Sequence, residues 1–353
     1  MSTEPITYHQ QSYIDNTLRL RELLTTMPSF AKDYFRAMEP TTSSKTRISY
    51  AYDIRVFFNF LIEQNPLYHD YTMNQFTSND LEHLSPLDIE EYQEYLKVYL
   101  RDTKQVTNSE KGLARKMSAL RSFYGYFYKR QIIEKNPTLL VDMPKLHDKA
   151  IVRLDTDEIV ILLDYVEHCG DLLNGQQKKY YEKTKNRDLA ILTLLLGTGI
   201  RVSECVGLDI NDVDFKNNGI KVTRKGGNEM IVYFGNEVQY ALEHYLEYTR
   251  NGIIPLVGYE NALFLSTQKK RMGVQAIENM VKKYASQAIP NKKITPHKLR
   301  STYGTALYKE TGDIYLVADV LGHKDVNTTK KHYAAIDEDR RRKAATVVHL
   351  RES

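Results

Sequence analysis

Residues 295–333 read TPHKLRSTYGTALYKETGDIYLVADVLGHKDVNTTKKHY, and this stretch decides how the chain is read. Thr295-Pro296 predicts a helix start, with a hydroxyl at the cap and a proline in the first turn, where its missing N–H costs nothing. His297 and Arg300 fall three apart on one face of that turn, where the positive end of the helix dipole adds to their field. Gly312-Asp313 closes this helix and opens a second, apolar one (Ile314, Leu316, Val317, Val320, Leu321). Gly322 stops the second helix and presents His323, and Tyr333 follows ten residues later. Two histidines, an arginine and a tyrosine hydroxyl on short helices predict an anion site with a nucleophile beside it.

Working backward, RDLAILTLLLGTGIRVSECVGL (187–208) predicts a buried apolar helix, a break at Gly197 and Gly199, and Arg201 at the start of the next helix. An arginine released by a glycine break at the end of a buried helix is positioned rather than free. Glu204, three residues on, can face Arg201 and orient its guanidinium. In VDFKNNGIKVTRKGGNEMIVYFG (213–235), Asn218-Gly219 signals one hairpin turn and Lys225-Gly226-Gly227 the tip of a second. A lysine on such a tip can reach into a cleft built by helices.

The segments HKLR, LGH and the following tyrosine, with GTGIRVSE upstream, resemble the boxes of the tyrosine recombinases, the family that includes phage integrases and Xer recombinases. The resemblance covers most of the chain from about residue 45. It implies a mainly α protein: an N-terminal helical core-binding (SAM-like) domain, then an α-rich catalytic domain with a small antiparallel β-sheet. It implies catalysis by Arg201, Lys225, His297, Arg300 and His323, with Tyr333 as nucleophile and Glu204 in support. Two departures stand out. Arg224 precedes Lys225 where the family usually has glycine, so Lys221 and Arg224 remain candidates for the hairpin cation. The step from His323 to Tyr333 is one residue longer than usual.

The chemistry is consistent with those residue types. Cleaving a phosphodiester builds negative charge on the non-bridging oxygens, and two guanidiniums match them in fork geometry. Histidines add donors and move protons near neutral pH. A tyrosine hydroxyl with an ordinary pKa of about 10 needs a neighbouring cation or base to attack. No Asp/Glu cluster suggests a metal site, and the family mechanism uses no metal or other cofactor.

The N-terminal half is read as helical, with no strand-rich module in residues 1–40. SSKTRISYAYDIRVFFNFLIE (43–63) carries an apolar stripe with Lys45, Arg47 and Arg55 opposite it. DIEEYQEYLKVYL (88–100) predicts a further helix. SEKGLARKMSALRSFYGYFYKR (109–130) interleaves Arg115, Lys116 and Arg121 with Leu113, Met117, Leu120 and Phe123, predicting an amphipathic helix with a solvated basic face. In the context of the resemblance, Lys45, Arg47, Arg115, Lys116 and Arg121 are expected to contact DNA. KLHDKAIVRL (145–154) reads as a linker, which sets domains at 1–150 and 151–353. In the second, LDTDEIVILLDYVE (154–167) reads as a helix capped at Thr156, and QQKKYYEKTKNRD (176–188) as an irregular charged segment.

Composition sets wide bounds. The 353 residues suffice for two domains, 42% are hydrophobic, and 49 Lys/Arg against 45 Asp/Glu leave a net charge of +4, which permits a nucleic-acid partner. Two cysteines without metal spacing suit a reducing interior. The polar opening MSTEPITYHQ lacks a signal-peptide layout, and no apolar run is long enough to span a bilayer, so a cytoplasmic protein with no membrane partner is expected.

With no strand-rich module at the start, the chain resembles the Xer branch of the family, and that resemblance implies a site-specific recombinase acting on double-stranded DNA. A 3′-phosphotyrosyl intermediate and a Holliday junction would resolve chromosome dimers at a dif-like site, with an FtsK-type translocase as activator. AAIDEDRRRKAATVVHLRES (334–353) is expected to pack on a neighbouring protomer in a homotetramer. The alternatives are an integrase of a mobile element and a DNA-binding accessory protein that does not cut; a type IB topoisomerase would share the chemistry but not the recombinase-style boxes.

Overall fold

A computed structural model describes residues 7–101, 103–147, 152–224 and 227–322. The chain divides into two compact units, residues 1–149 and 150–353.

In the N-terminal unit, the helices α1 (Tyr8–Thr25), α2 (Ala31–Ala37), α3 (Ser44–Gln64), α4 (Asp80–His83), α5 (Pro86–Tyr95) and α6 (Glu110–Lys129) surround an aromatic core. Ser43, Ser85 and Ser109 cap α3, α5 and α6 through side-chain oxygens that accept a backbone N–H. Phe57, Phe123 and Tyr92 are fully buried, and rings meet edge to face, as in Phe57–Tyr92 with centroids 5.0 Å apart. Each such pair adds about 1 kcal/mol to the burial of its apolar area. One expectation fails here. The chain predicted helical through residue 100 leaves α5 at Tyr95 and forms a hairpin, β1 (Val98–Arg101) with β2 (Lys104–Thr107). Val98, Tyr99 and Val106 are residue types that favour strands, and only Tyr99 of β1 is buried, so a helical stripe there would have had little core to face.

In the C-terminal unit, α8 (Gly175–Thr198) is the central element, packed against α7 (Thr156–His168), α10 (Asn236–Tyr245) and α12 (Pro296–Thr311). Its last turns, Ala190 to Leu196, are buried on every face, and each fully buried leucine contributes about 2 kcal/mol. The segment 176–188, expected to be irregular, is the first half of this helix. Gln, Lys and Glu are good helix formers, and Tyr181, Thr184, Arg187 and Asp188 recur at helical spacing and are buried. The start of α7 also shifts by one residue. Asp155, not Thr156, is the cap, and Glu158 reaches back to its N–H at 2.7 Å.

The strands flanking both expected turns pair as hairpins. β3 (Val213–Asp214), β4 (Gly219–Thr223) and β5 (Glu229–Tyr233) form an antiparallel sheet in that order, with Ile220 opposite Val232 on the buried face and Lys221 opposite Ile231 on the exposed one. The unit continues through α11 (Val274–Ala288) to α13 (Ile314–Leu321). Among the described residues no helix is long and apolar enough to cross a membrane.

Candidate active site

Three chain reversals build the site. Helix α8 ends at Gly199, whose φ of 63° is left-handed and whose missing Cβ would lie 2.9 Å from Leu321 Cδ2. Arg201 follows at the cap of α9 (Val202–Gly207). Helix α13 ends at Gly322, also left-handed at 60°, where a Cβ would lie 2.7 Å from the Arg224 guanidinium. Between them α12 begins at Thr295-Pro296 as predicted, although the Thr295 hydroxyl makes no capping hydrogen bond.

Glu204 is 3% exposed and organises the charges. One carboxylate oxygen accepts from Arg201 Nη1 at 2.7 Å, and the other accepts the Arg201 backbone N–H at 2.8 Å and faces Arg224 Nη1 at 3.7 Å. Three guanidiniums then converge on the carbonyl end of α13. Arg201 Nη2 donates to the Gly322 carbonyl at 3.3 Å, and Arg300 donates to the Leu321 carbonyl and, at 2.6 Å, to that of Gly199. Arg224 donates to the carbonyls of Leu321 and Val320, both at 2.7 Å. The negative end of a helix thus gathers the arginines. Arg300 and Arg224 are buried, while Arg201 keeps 35% of its side chain in solvent. Burial lowers the pKa of the Arg224 guanidinium; Glu204 opposes that shift and the Arg201 charge adds to it.

Arg201, Glu204 and Arg300 are therefore brought together, and His297 lies exposed on the same turn as Arg300. Lys225, His323 and Tyr333 lie outside the described residues. Lys221, the other lysine considered, sits on the exposed face of β4, 3.7 Å from Asp212 and 3.6 Å from Glu229. Arg224, the other candidate for the hairpin cation, takes a place in the arginine cluster that emerges only from the fold. The one signal in the sequence was an arginine where the resembled family carries glycine.

In the N-terminal unit the basic residues separate into two kinds. Lys45 and Arg115 reach the surface. Arg47 and Lys116, expected on a solvated face, are instead buried: Arg47 pairs with Glu39 at 3.1 Å, and Lys116 lies 3.5 Å from Asp53. Asp53, itself buried on α3, also takes Arg115 at 2.6 Å. Arg121 is partly buried and donates to the carbonyls of Thr138, at 3.1 Å, and Val141. A groove of about 700 Å³ opens over this cluster, lined by Tyr52, Arg55, Tyr99, Arg101 and Arg115 among others. Arg55, stacked over the Tyr52 ring at 5.2 Å, and Arg101 add cations that the sequence had not singled out as DNA contacts.

The chain matches the Phage integrase family over residues 153–340 and the Phage integrase, N-terminal SAM-like domain over residues 32–131. It is 34% identical to tyrosine recombinase XerD of Staphylococcus epidermidis, across 80% of this chain and 89% of that protein. Similarity to tyrosine recombinase XerS of Streptococcus uberis is 30%, across 92% and 96%. Among solved structures, the XerH site-specific recombinase bound to palindromic difH substrate shares the fold with a TM-score of 0.64 at 18% identity, across 86% of this chain and 80% of that one. A lambda integrase (75–356) dimer bound to a COC′ core site does so at 0.60 and 15%, across 86% and 94%. The buried arginine cluster at the end of α13 thus lies in a chain that belongs to the phage integrase family, the tyrosine recombinases, enzymes that break and rejoin DNA.

Proposed function

We propose that this protein is a Xer-type site-specific recombinase that resolves chromosome dimers at a dif-like site in the cytoplasm. The observation that carries the catalytic assignment is the convergence of Arg201 and Arg300 on the end of α13, next to the residue that leads into His323. In this reading the two guanidiniums hold the non-bridging oxygens of the scissile phosphate and offset the charge that grows on them. Glu204 orients Arg201 by accepting from both its guanidinium and its backbone N–H. The Tyr333 oxygen attacks phosphorus, its proton passing to a histidine, His297 or His323. The 5′ oxygen leaves with a proton from Lys225. The product is a 3′-phosphotyrosyl bond and a free 5′ hydroxyl, which conserves the bond energy, so a second 5′ hydroxyl religates without ATP. Strands exchange in two steps through a Holliday junction.

The N-terminal unit supplies core-site binding through phosphate contacts from Lys45, Arg115 and the groove arginines, with Arg121 holding α6 to the segment after it. Arg47 and Lys116 support that surface from beneath. The segment 334–353 packs on a neighbouring protomer in a homotetramer on DNA, and an FtsK-type translocase activates the complex.

The test uses a nicked duplex carrying the sequence that the full-length protein selects from a randomised library. Cleavage traps a protein–DNA adduct that survives SDS. The wild type is expected to form it and Tyr333→Phe to form none. An adduct that persists in Tyr333→Phe would move the nucleophile elsewhere, and tight binding without any adduct would leave a DNA-binding protein that does not cut.

A further inference from the structure

Helix α1 lies ahead of residues 32–131, the part of the N-terminal unit that matches the SAM-like domain, and no role given above uses it. It is nevertheless built into the basic groove. Leu20 and Leu23 are buried where α1 packs on α3, and Asn16 donates to the Ser44 hydroxyl at 3.3 Å. The residue that ends the helix, Thr26, lines the groove and accepts from Arg55 Nη1 at 3.4 Å. Two turns earlier, the exposed Arg19 donates to the Tyr52 hydroxyl at 3.0 Å. The guanidinium carbons of Arg19 and Arg55 stand 5.7 and 5.2 Å from the centre of that one ring.

Two permanent cations gathered on one ring repel each other, and the ring's π-electrons offset that only in part. The carboxylate nearest to hand is committed elsewhere: Asp53, the one acid among the residues lining the groove, is taken by Arg115 and Lys116. The Tyr52 hydroxyl, not Glu22, is the main influence that raises the Arg19 pKa. Arg101 adds a further cation to the same groove. Tyr52 takes one of the five N–H donors of Arg19, which leaves the fork available to a phosphate. A row of cations in excess of its carboxylates suits a polyanion with regularly spaced charge, as the backbone of duplex DNA is.

We infer that α1 is part of the DNA-binding surface: Arg19, steadied by Tyr52 beside Arg55, binds a backbone phosphate of duplex DNA and adds to the contacts of the SAM-like domain. This rests on the recombinase reading above, which makes duplex DNA the ligand. Phosphates carry no sequence, so the contact strengthens binding without choosing a site.

The experiment measures equilibrium binding of the full-length protein to two duplexes of equal length, one carrying the sequence selected from the randomised library and one with that sequence scrambled, between about 50 and 200 mM salt. Each phosphate contact contributes about 0.9 to the slope of log K against log salt. Arg19→Gln is therefore expected to lower the slope by about 0.9, so its deficit against wild type is about 3.5-fold greater at the low-salt end than at the high. The deficit should be the same on both duplexes. Arg21→Gln makes the same change in net charge on the same helix, two residues on and so on another face, and should keep the wild-type slope. Arg19→Lys retains the charge and should keep it too.

An unchanged slope in Arg19→Gln would overturn the inference, and so would an equal fall in Arg21→Gln, which would make the effect one of net charge. A deficit confined to the selected sequence would make Arg19 a reader of bases and overturn the phosphate assignment. Loss of slope in Arg19→Lys as complete as in Arg19→Gln would assign the residue to holding α1 in place, and overturn it as well. A wild type that binds neither duplex would instead overturn the recombinase reading and this inference with it.

Discussion

Glu204→Gln tests the electrostatic account of the site. Both carboxylate oxygens of Glu204 face donors: Arg201 Nη1 at 2.7 Å on one, the Arg201 N–H at 2.8 Å and the Arg224 guanidinium at 3.7 Å on the other. Glutamine has one oxygen, so its NH2 group must meet a donor whichever way it turns. It also removes the negative charge that these two guanidiniums share. Removing one partner of a fully buried pair costs about 3–5 kcal/mol. Arg201 is 35% exposed and so partly screened by water, which reduces the expected loss to about 2–3 kcal/mol. For a unit of this size that is a fall in melting temperature of about 5–10 °C, read by scanning calorimetry of the full-length chain. Adduct formation should slow in parallel, because Arg201 loses the contact that orients it. A companion measurement separates the terms. If Glu204 neutralises Arg224, then Glu204→Gln should cost at least about 1 kcal/mol less in an Arg224→Met background than alone. A variant with unchanged melting and unchanged cleavage would refute the reasoning, since it would mean that the guanidiniums need no buried counter-charge.

Three further outcomes are expected. Gly322→Ala places a Cβ 2.7 Å from the Arg224 guanidinium at a left-handed φ of 60°; it should cost about 1–2 kcal/mol from backbone strain alone and slow adduct formation, measured by denaturant unfolding and by SDS-stable complex. Asp53→Asn removes the counter-charge of Lys116, whose side chain is 9% exposed, and should destabilise the N-terminal unit by about 2–3 kcal/mol in urea unfolding. At high pH the fold should weaken. Burial pushes the Tyr34, Tyr68 and Tyr181 hydroxyls up to about 12, so between about 10 and 12 the unfolded chain ionises while the folded one does not. Stability from these groups is present below pH 10 and lost as pH rises through 12, and melting temperatures across that range would show it.

Much of the fold was legible because its signals are local. Gly312-Asp313 and Gly322 end and start helices through backbone geometry that depends on neighbours in sequence, and all appear where expected. The hairpins around Asn218-Gly219 and residues 225–227 follow from turn chemistry and alternating apolar positions, and the strands pair accordingly. Arg201 and Glu204 lie three apart on one short helix, so their contact could be read from spacing. The misreadings are of another kind. Residues 176–188 carry so much charge that they read as surface loop, but helix propensity and four buried contacts at helical spacing outweigh that charge. The hairpin at 98–107 is masked by a helical pattern that runs into it from α5.

By itself, then, the sequence determined the family, the helix boundaries at glycine and proline, and which residue types could carry phosphoryl chemistry. Tertiary structure decided what each charge faces. Lys116 and Arg47 became buried ion-pair partners because Asp53 and Glu39 meet them across helices, and no pattern within α3 or α6 contains that information. Arg224 lies 97 residues from the Leu321 carbonyl it grips, and Arg201 lies 121 from Gly322. The energy of a buried charge depends on the partner that replaces water around it, and that partner is supplied by chain segments whose proximity exists only once the helices have packed.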